Sequence, residues 1–218
     1  MMSELIMLLG GSGGGKSSSL EKLPPKETLI VSVDGKKPPF SLKNWPKLEK
    51  DRPDGSFYIP KRENVYGSIK GAINLALDSG KDKIIIDDSQ YVLANQFFAR
   101  AHEKGFDKFN ELGQHFWLFI DYLRSLPENV TVYMLHHTDT DDVGNIKPKT
   151  IGKMLDDKGC IEGRFTICLL AKRVDEVYKI YSSLTGQQVV KAPRGMLDNE
   201  MDNELYEIDK KIREYYGI

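Results

Sequence analysis

Cysteine is nearly missing from this chain: Cys160 and Cys168 are the only two in 218 residues. That excludes a disulfide framework and suits two reduced thiols. Histidine is scarce as well, with His102, His115, His136 and His137. Four histidines and two distant cysteines give no ligand set of the usual zinc spacing. Neither sign of charge prevails, since 31 Lys and Arg face 32 Asp and Glu. A protein that coats nucleic acid by bulk electrostatics is thereby excluded, although a local patch is not. No apolar run approaches the ~20 residues of a membrane helix. Met1-Met2-Ser3-Glu4 carries no basic segment, and the apolar run Leu5 to Leu9 is short for a signal peptide. No repeat occurs at solenoid periods. The expectation is a soluble, cytoplasmic protein.

What the chain does have is 40% hydrophobic residues, enough for a real core in one domain. Leu5–Leu9, Thr28–Val33, Lys83–Asp88 and Val130–Leu135 read as buried strands. Helical spacing is expected over Asn64–Leu77, Tyr91–Glu103 and a longer stretch from Leu112 to Leu126, stopped by Pro127. Phe165–Ala171, Val177–Tyr181 and Val189-Val190 read as antiparallel strands around Thr185-Gly186, and Met201–Tyr216 as a charged helix. Alternating strands and helices imply an α/β fold, with a mostly parallel sheet covered on both faces. Lys36 to Arg62 departs from this pattern. It holds Pro38, Pro39, Pro46, Pro53 and Pro60, a surplus of Lys and Arg, and Phe40, Trp45, Phe57 and Tyr58. This irregular excursion suits either nucleic-acid binding through stacked aromatics or a solvated loop pinned by Trp45 and Phe57.

Gly10-Gly11-Ser12-Gly13-Gly14-Gly15-Lys16-Ser17 fits G-x-x-x-x-G-K-[ST], the phosphate-binding P-loop. Glycines let backbone N–H groups turn inward around phosphate oxygens, and a helix beginning at Ser17 and Ser18 would add positive potential. Lys16, expected to be accessible, would reach the terminal phosphates of ATP, and Ser17 would ligate Mg²⁺. The bland alternative is a flexible Gly/Ser turn. Asp87 and Asp88 end an apolar strand, the pattern that places a carboxylate on Mg²⁺ and a second one by the attacking water. Solvated strand-end acids are the alternative there. His136 and His137 end the next strand, where a polar side chain can sense the γ-phosphate. Lys147, Lys149, Lys153 and Lys158 form a second basic cluster, diluted by Asp139, Asp141, Asp142, Asp156 and Asp157.

On these residues the chain resembles the phage ATP-binding proteins of the RecA-like class, some of which are single-strand-annealing recombinases. The likeness rests on Gly10–Ser17 and Ile84–Tyr91, on Lys104–Phe109 and His136–Asp139, and on Ile151–Leu155, Glu162–Thr166 and Lys191–Met196. It implies a RecA-like P-loop core with antiparallel C-terminal strands that binds and hydrolyses ATP with Mg²⁺. It also implies single-stranded DNA as a partner and assembly into rings or filaments. Lys191 and Arg194 match the segment that reaches a neighbouring subunit's γ-phosphate, and the loop after His137 matches the position of a DNA-binding loop. The class carries a catalytic Glu past the second core strand. Here that strand ends Asp34-Gly35-Lys36, so Asp34 or Asp88 takes the role, or hydrolysis is slow. A nucleotide or small-molecule kinase and a non-hydrolysing, ATP-dependent assembly module are the competing functions.

Overall fold

The computed structural model describes residues 2–105, 107–151, 155 and 159–218. Phe106 and Gly152–Met154 of the resembling segments, and Lys153, Asp156, Asp157 and Lys158 of the second basic cluster, lie outside the described residues. Nine strands are found among those described: β1 Glu4–Gly10, β2 Thr28–Ser32, β3 Phe57–Tyr58, β4 Lys83–Asp87, β5 Thr131–Thr140, β6 Ile146–Pro148, β7 Ile167–Val174, β8 Val177–Tyr181 and β9 Glu200–Asp202. They line up as β3-β2-β4-β5-β1-β7-β8-β9, with β6 paired to β5. From β3 to β7 every neighbour is parallel, and β8 and β9 complete the sheet antiparallel. The α/β class, the mostly parallel sheet and the antiparallel C-terminal strands are those expected.

Strict alternation along each strand divides the core. Leu5, Met7 and Leu9 of β1 face one layer with Leu29, Ile84, Met134 and Leu170. Three helices cover that face: α1 Val65–Asp78, α2 Gln90–Ala99 and α3 Asp107–Arg124. Ile6 and Leu8 face the other layer, with Ile30, Ile85, Tyr133 and Leu169. That layer is closed by Leu205, Ile208 and Ile212 of α4 Leu205–Tyr216, by Leu20 and Leu23, and by Trp45. Continuous apolar strands are what a sheet buried on both sides requires.

The helix ends follow local chemistry. Asn64 caps α1, its Oδ1 accepting the Gly67 N–H at 3.1 Å. Gly80, at φ 88°, closes the same helix, with Gly80 N–H on the Leu77 carbonyl and Lys81 N–H on Ala76.

Several elements differ from the sequence reading. The segment after the P-loop is a single 3₁₀ turn, Ser17–Leu20, followed by Pro24-Pro25, and no α-helix forms there. β5 runs past Leu135 to Thr140 because the polar stretch from Thr140 to Thr150, expected as a loop, folds back as a hairpin. Asp141 Oδ1 accepts the N–H groups of Val143 and Asn145 at 3.0 and 2.7 Å and turns the chain into β6. The β7–β8 hairpin turns at Asp175-Glu176, both at positive φ (46° and 68°), and not at Thr185-Gly186. Val189-Val190 is not a strand. The edge of β7 beyond the end of β8 is met by one bridge, Lys191 to Cys168. The helix expected from Met201 begins at Leu205, since Glu200–Asp202 pairs with β8 as β9.

Candidate functional site

Parallel pairing brings the carboxyl ends of β1, β2, β4 and β5 to one edge of the sheet. Gly10 lies level with His137, and Ser32 level with Asp87. In an open α/β sheet that edge is where ligands bind. A cleft of about 680 Å³ opens there, lined by Ser12–Ser18, Lys36, Pro39, Asp88, Tyr91, His137 and Tyr178.

The glycine loop forms its near wall. Gly15 takes φ 101°, and a Cβ there would meet Tyr178 Cδ1 at 2.8 Å and Asn203 Nδ2 at 3.0 Å. A Cβ on Gly10 would strike the Ala171 carbonyl oxygen at 2.6 Å. Asn203, between β9 and α4, donates to Gly15 O at 3.0 Å and to Ser18 Oγ at 3.1 Å. Lys16 is only 5% exposed, against expectation. Its Nζ donates to the carbonyls of Gly10 and Gly11 at 2.8 and 3.1 Å, and burial holds its pKa below the usual lysine value. Because the turn after Ser17 is one 3₁₀ turn, little aligned dipole backs the loop. Lys16 and backbone amides are left as its main positive elements.

Ser17 Oγ donates to Asp87 Oδ1 at 3.0 Å, which joins the loop to the end of β4 across the sheet. Burial, and next the charge of Asp88, push Asp87 up to about 6. The chain leaves β4 at Asp88 in the left-handed region, φ 59°, a strained conformation that aspartate tolerates better than most residues. His137 Nε2 lies 3.1 Å from Asp88 Oδ1, and Lys36 Nζ is 3.8 Å from Oδ2. Burial raises Asp88, but the His137 hydrogen bond and the charges of His137, Lys16 and Lys36 outweigh it and leave the group below its usual value. Two adjacent carboxylates are thus driven apart in proton affinity, the pattern by which neighbouring acids take different roles. Ser17 and Asp87 offer hard oxygens side by side, the donor chemistry that suits Mg²⁺.

The remaining expected residues distribute unequally. His136 does not reach the cleft. It is wholly buried, with Nδ1 2.8 Å from Ser89 Oγ and Nε2 2.8 Å from the Lys149 carbonyl. Burial lowers its pKa to about 4. Asp34 is engaged by Lys36 at 2.8 Å. Lys191 bridges Cys168, which is level with Met7, three residues below Gly10. At about 3.3 Å per residue this is some 10 Å from the P-loop edge. Arg194 is exposed nearby in sequence, and neither residue lines this chain's cleft. No cluster of three metal-ligating side chains occurs among the described residues. Residues that sequence reasoning passed over are Lys36 as a cleft residue, Tyr91, Tyr178 and Asn203. In the sequence Lys36 lies in a basic run, and Asn203 within the helix expected over Met201–Tyr216.

No family model matches the chain, and no curated protein matches it. Among solved structures, it is similar to a KaiC-like protein from the hyperthermophilic archaeon Pyrococcus horikoshii. The identity is 12% over 82% of this chain and 76% of the other, with a TM-score of 0.40.

Proposed function

We propose that this chain is a RecA-like P-loop ATPase that binds ATP with Mg²⁺ in the cleft at the carboxyl edge of the sheet. The observation that carries the reading is the Ser17–Asp87 contact, 3.0 Å between side chains 70 positions apart, set beside Lys16 and the glycine loop. Lys16 would exchange its bonds to Gly10 and Gly11 for phosphate oxygens. Ser17 and Asp87 would hold Mg²⁺, which supplies charge neutralisation at the phosphates. Asp88, kept ionised and oriented by His137, is the acceptor available for a proton from water. The test is equilibrium binding of ATP with Mg²⁺ and with chelator. Lys16→Ala should lower affinity at least about tenfold, the worth of one charge-assisted contact. Asp87→Asn should remove the dependence on Mg²⁺. Unchanged ATP affinity in folded Lys16→Ala protein would defeat the reading.

The finer reading is action on single-stranded DNA, in phage recombination or annealing within the host cytoplasm. Its support is the sequence resemblance and the exposed charge of the excursion. Lys37, Lys43, Lys47, Lys50, Arg52, Lys61 and Arg62 all face solvent. Trp45 and Phe57 do not serve as stacking platforms, because both are buried in the second layer. Binding would therefore run through phosphates and weaken steeply with salt. Assembly into rings or filaments belongs to the same reading. Lys191 and Arg194 lie away from this chain's own cleft, so they would serve a neighbouring subunit.

A further inference from the structure

The turn after β2 carries a cation into the cleft. Beyond Ser32 the chain reverses at Gly35, φ 76°, with Gly35 N–H on the Ser32 carbonyl at 3.2 Å. Ser32 Oγ closes the turn by donating to the Lys36 carbonyl at 2.9 Å. The backbone of Lys36 is thus fixed from both ends of a five-residue turn. Its side chain passes over the Tyr91 ring, Nζ 5.0 Å from the centroid, and ends between two carboxylates. Asp34 Oδ2 is at 2.8 Å and Asp88 Oδ2 at 3.8 Å. Lys36 shares its cleft with Lys16, Ser17 and Asp88, and its side chain is 62% exposed. Lys16 is buried and tied to the carbonyls of its own loop, while the Lys36 ammonium is exposed and held only by side chains, the carboxylates of Asp34 and Asp88 and the Tyr91 ring, which it can leave for an arriving anion. The neighbouring Lys37 is exposed but does not line the cleft.

We propose that Lys36 is the cation that contacts the γ-phosphoryl group of ATP from within the same chain. The proposal rests on the nucleotide reading above. In the reaction, water adds to the γ-phosphorus. The bond from that phosphorus to the β,γ-bridging oxygen breaks, its electron pair leaves with ADP, and the water proton passes to Asp88 and then to solvent. Negative charge spreads over the γ-phosphoryl oxygens in this step, and a cation placed there stabilises it.

The experiment is calorimetry on the full chain with Mg²⁺, comparing ADP with the non-hydrolysable β,γ-imido analogue of ATP, alongside turnover of ATP. The parent should prefer the triphosphate analogue. Lys36→Ala should lose most of that preference while its ADP affinity, which also reports an intact fold, stays within about twofold. Turnover should fall about a thousandfold, the lower end for a cationic finger. Lys36→Arg should restore part of both. A Lys36→Ala protein that keeps the parent's triphosphate preference, or a parent with none, overturns the proposal while leaving nucleotide binding intact. A parent that binds neither nucleotide overturns the nucleotide reading itself, and this proposal with it.

Discussion

His136 and His137 are adjacent in sequence and opposite in physical state. His137 faces the cleft and Asp88, whereas His136 turns toward the helical layer, its ring 6.1 Å from that of Phe116. The Lys149 carbonyl can only accept, so His136 Nε2 donates to it, and complete burial of the ring is what disfavours its charged form. Its pKa falls from 6.5 to about 4 on folding. The unfolded chain therefore binds more protons in that window. The stability this group contributes is whole above pH 6.5 and is lost as pH drops toward 4. By linkage the loss reaches about 3 kcal/mol. His136→Gln cannot titrate, so the stability gap between parent and variant, measured by urea unfolding, should narrow by about that much between pH 7 and pH 4. A gap that stays constant would show that His136 does not titrate differently in the two states. Sequence alone could not separate the two histidines, since both end the same apolar strand. Gly10–Ser17 and Asp87-Asp88 were legible because their chemistry is written in adjacent positions. Lys36, Tyr178 and Asn203 were not, because each reaches the cleft or the glycine loop through a turn or a strand whose path depends on the assembled sheet.

The C-terminal helix shows how an element is fixed by one buried charge. Asp209 of α4 is fully buried. It accepts from Thr131 Oγ1 at 2.8 Å, Tyr133 OH at 2.7 Å and Arg213 Nε at 2.9 Å, and lies 3.7 Å from Lys83 Nζ. Without Asp209 the buried Tyr133 hydroxyl loses its acceptor, while Lys83 keeps Glu27 and Asp82 and Arg213 keeps Asp82, so the loss is that of a buried polar group left unsatisfied, about 1–3 kcal/mol. Asp209→Ala should destabilise by about that amount in denaturant unfolding. Because Asn203 ties the start of this helix to Gly15, ATP affinity should weaken as well, even though Asp209 lies away from the cleft. A loss under 1 kcal/mol would show that apolar contacts alone seat α4. The helical layer was foreseeable element by element, since α1 and α3 carry apolar stripes and clear stops. The second layer was so only in part: the Trp45 and Phe57 pins and the C-terminal helix are readable, whereas the short 3₁₀ turn and the strand β9 are chosen by the sheet they cover, and local preference says little about them.

At the scale of the whole molecule, the cleft is furnished with Lys36 by its own chain, while Lys191 and Arg194 are turned elsewhere. If a second copy presents those two residues, specific ATPase activity should rise with protein concentration. That rise should disappear in a Lys191→Ala/Arg194→Ala protein, with sedimentation reporting the assembly state in parallel. Flat activity through the assembly transition would leave both residues on a solvated edge, where lysine deters strand-to-strand aggregation.

The place of β1 has a consequence for how the molecule comes into being. β1 is the strand earliest in this chain, yet it lies in the interior of the sheet, between β5 and β7. Glu4 finds its partner only at Thr131, and Ile6 finds its other partner only at Ile167. Closing such long loops is slow, and no local contact rewards it beforehand. A chain emerging from the ribosome therefore carries the whole Gly10–Ser17 segment long before any seat for it exists. The Ala171 carbonyl, Tyr178 and Asn203, which shape the loop, are among the later residues to appear. On the proposed reading, ATP would have no site during the early stages of folding and would stabilise only the completed sheet.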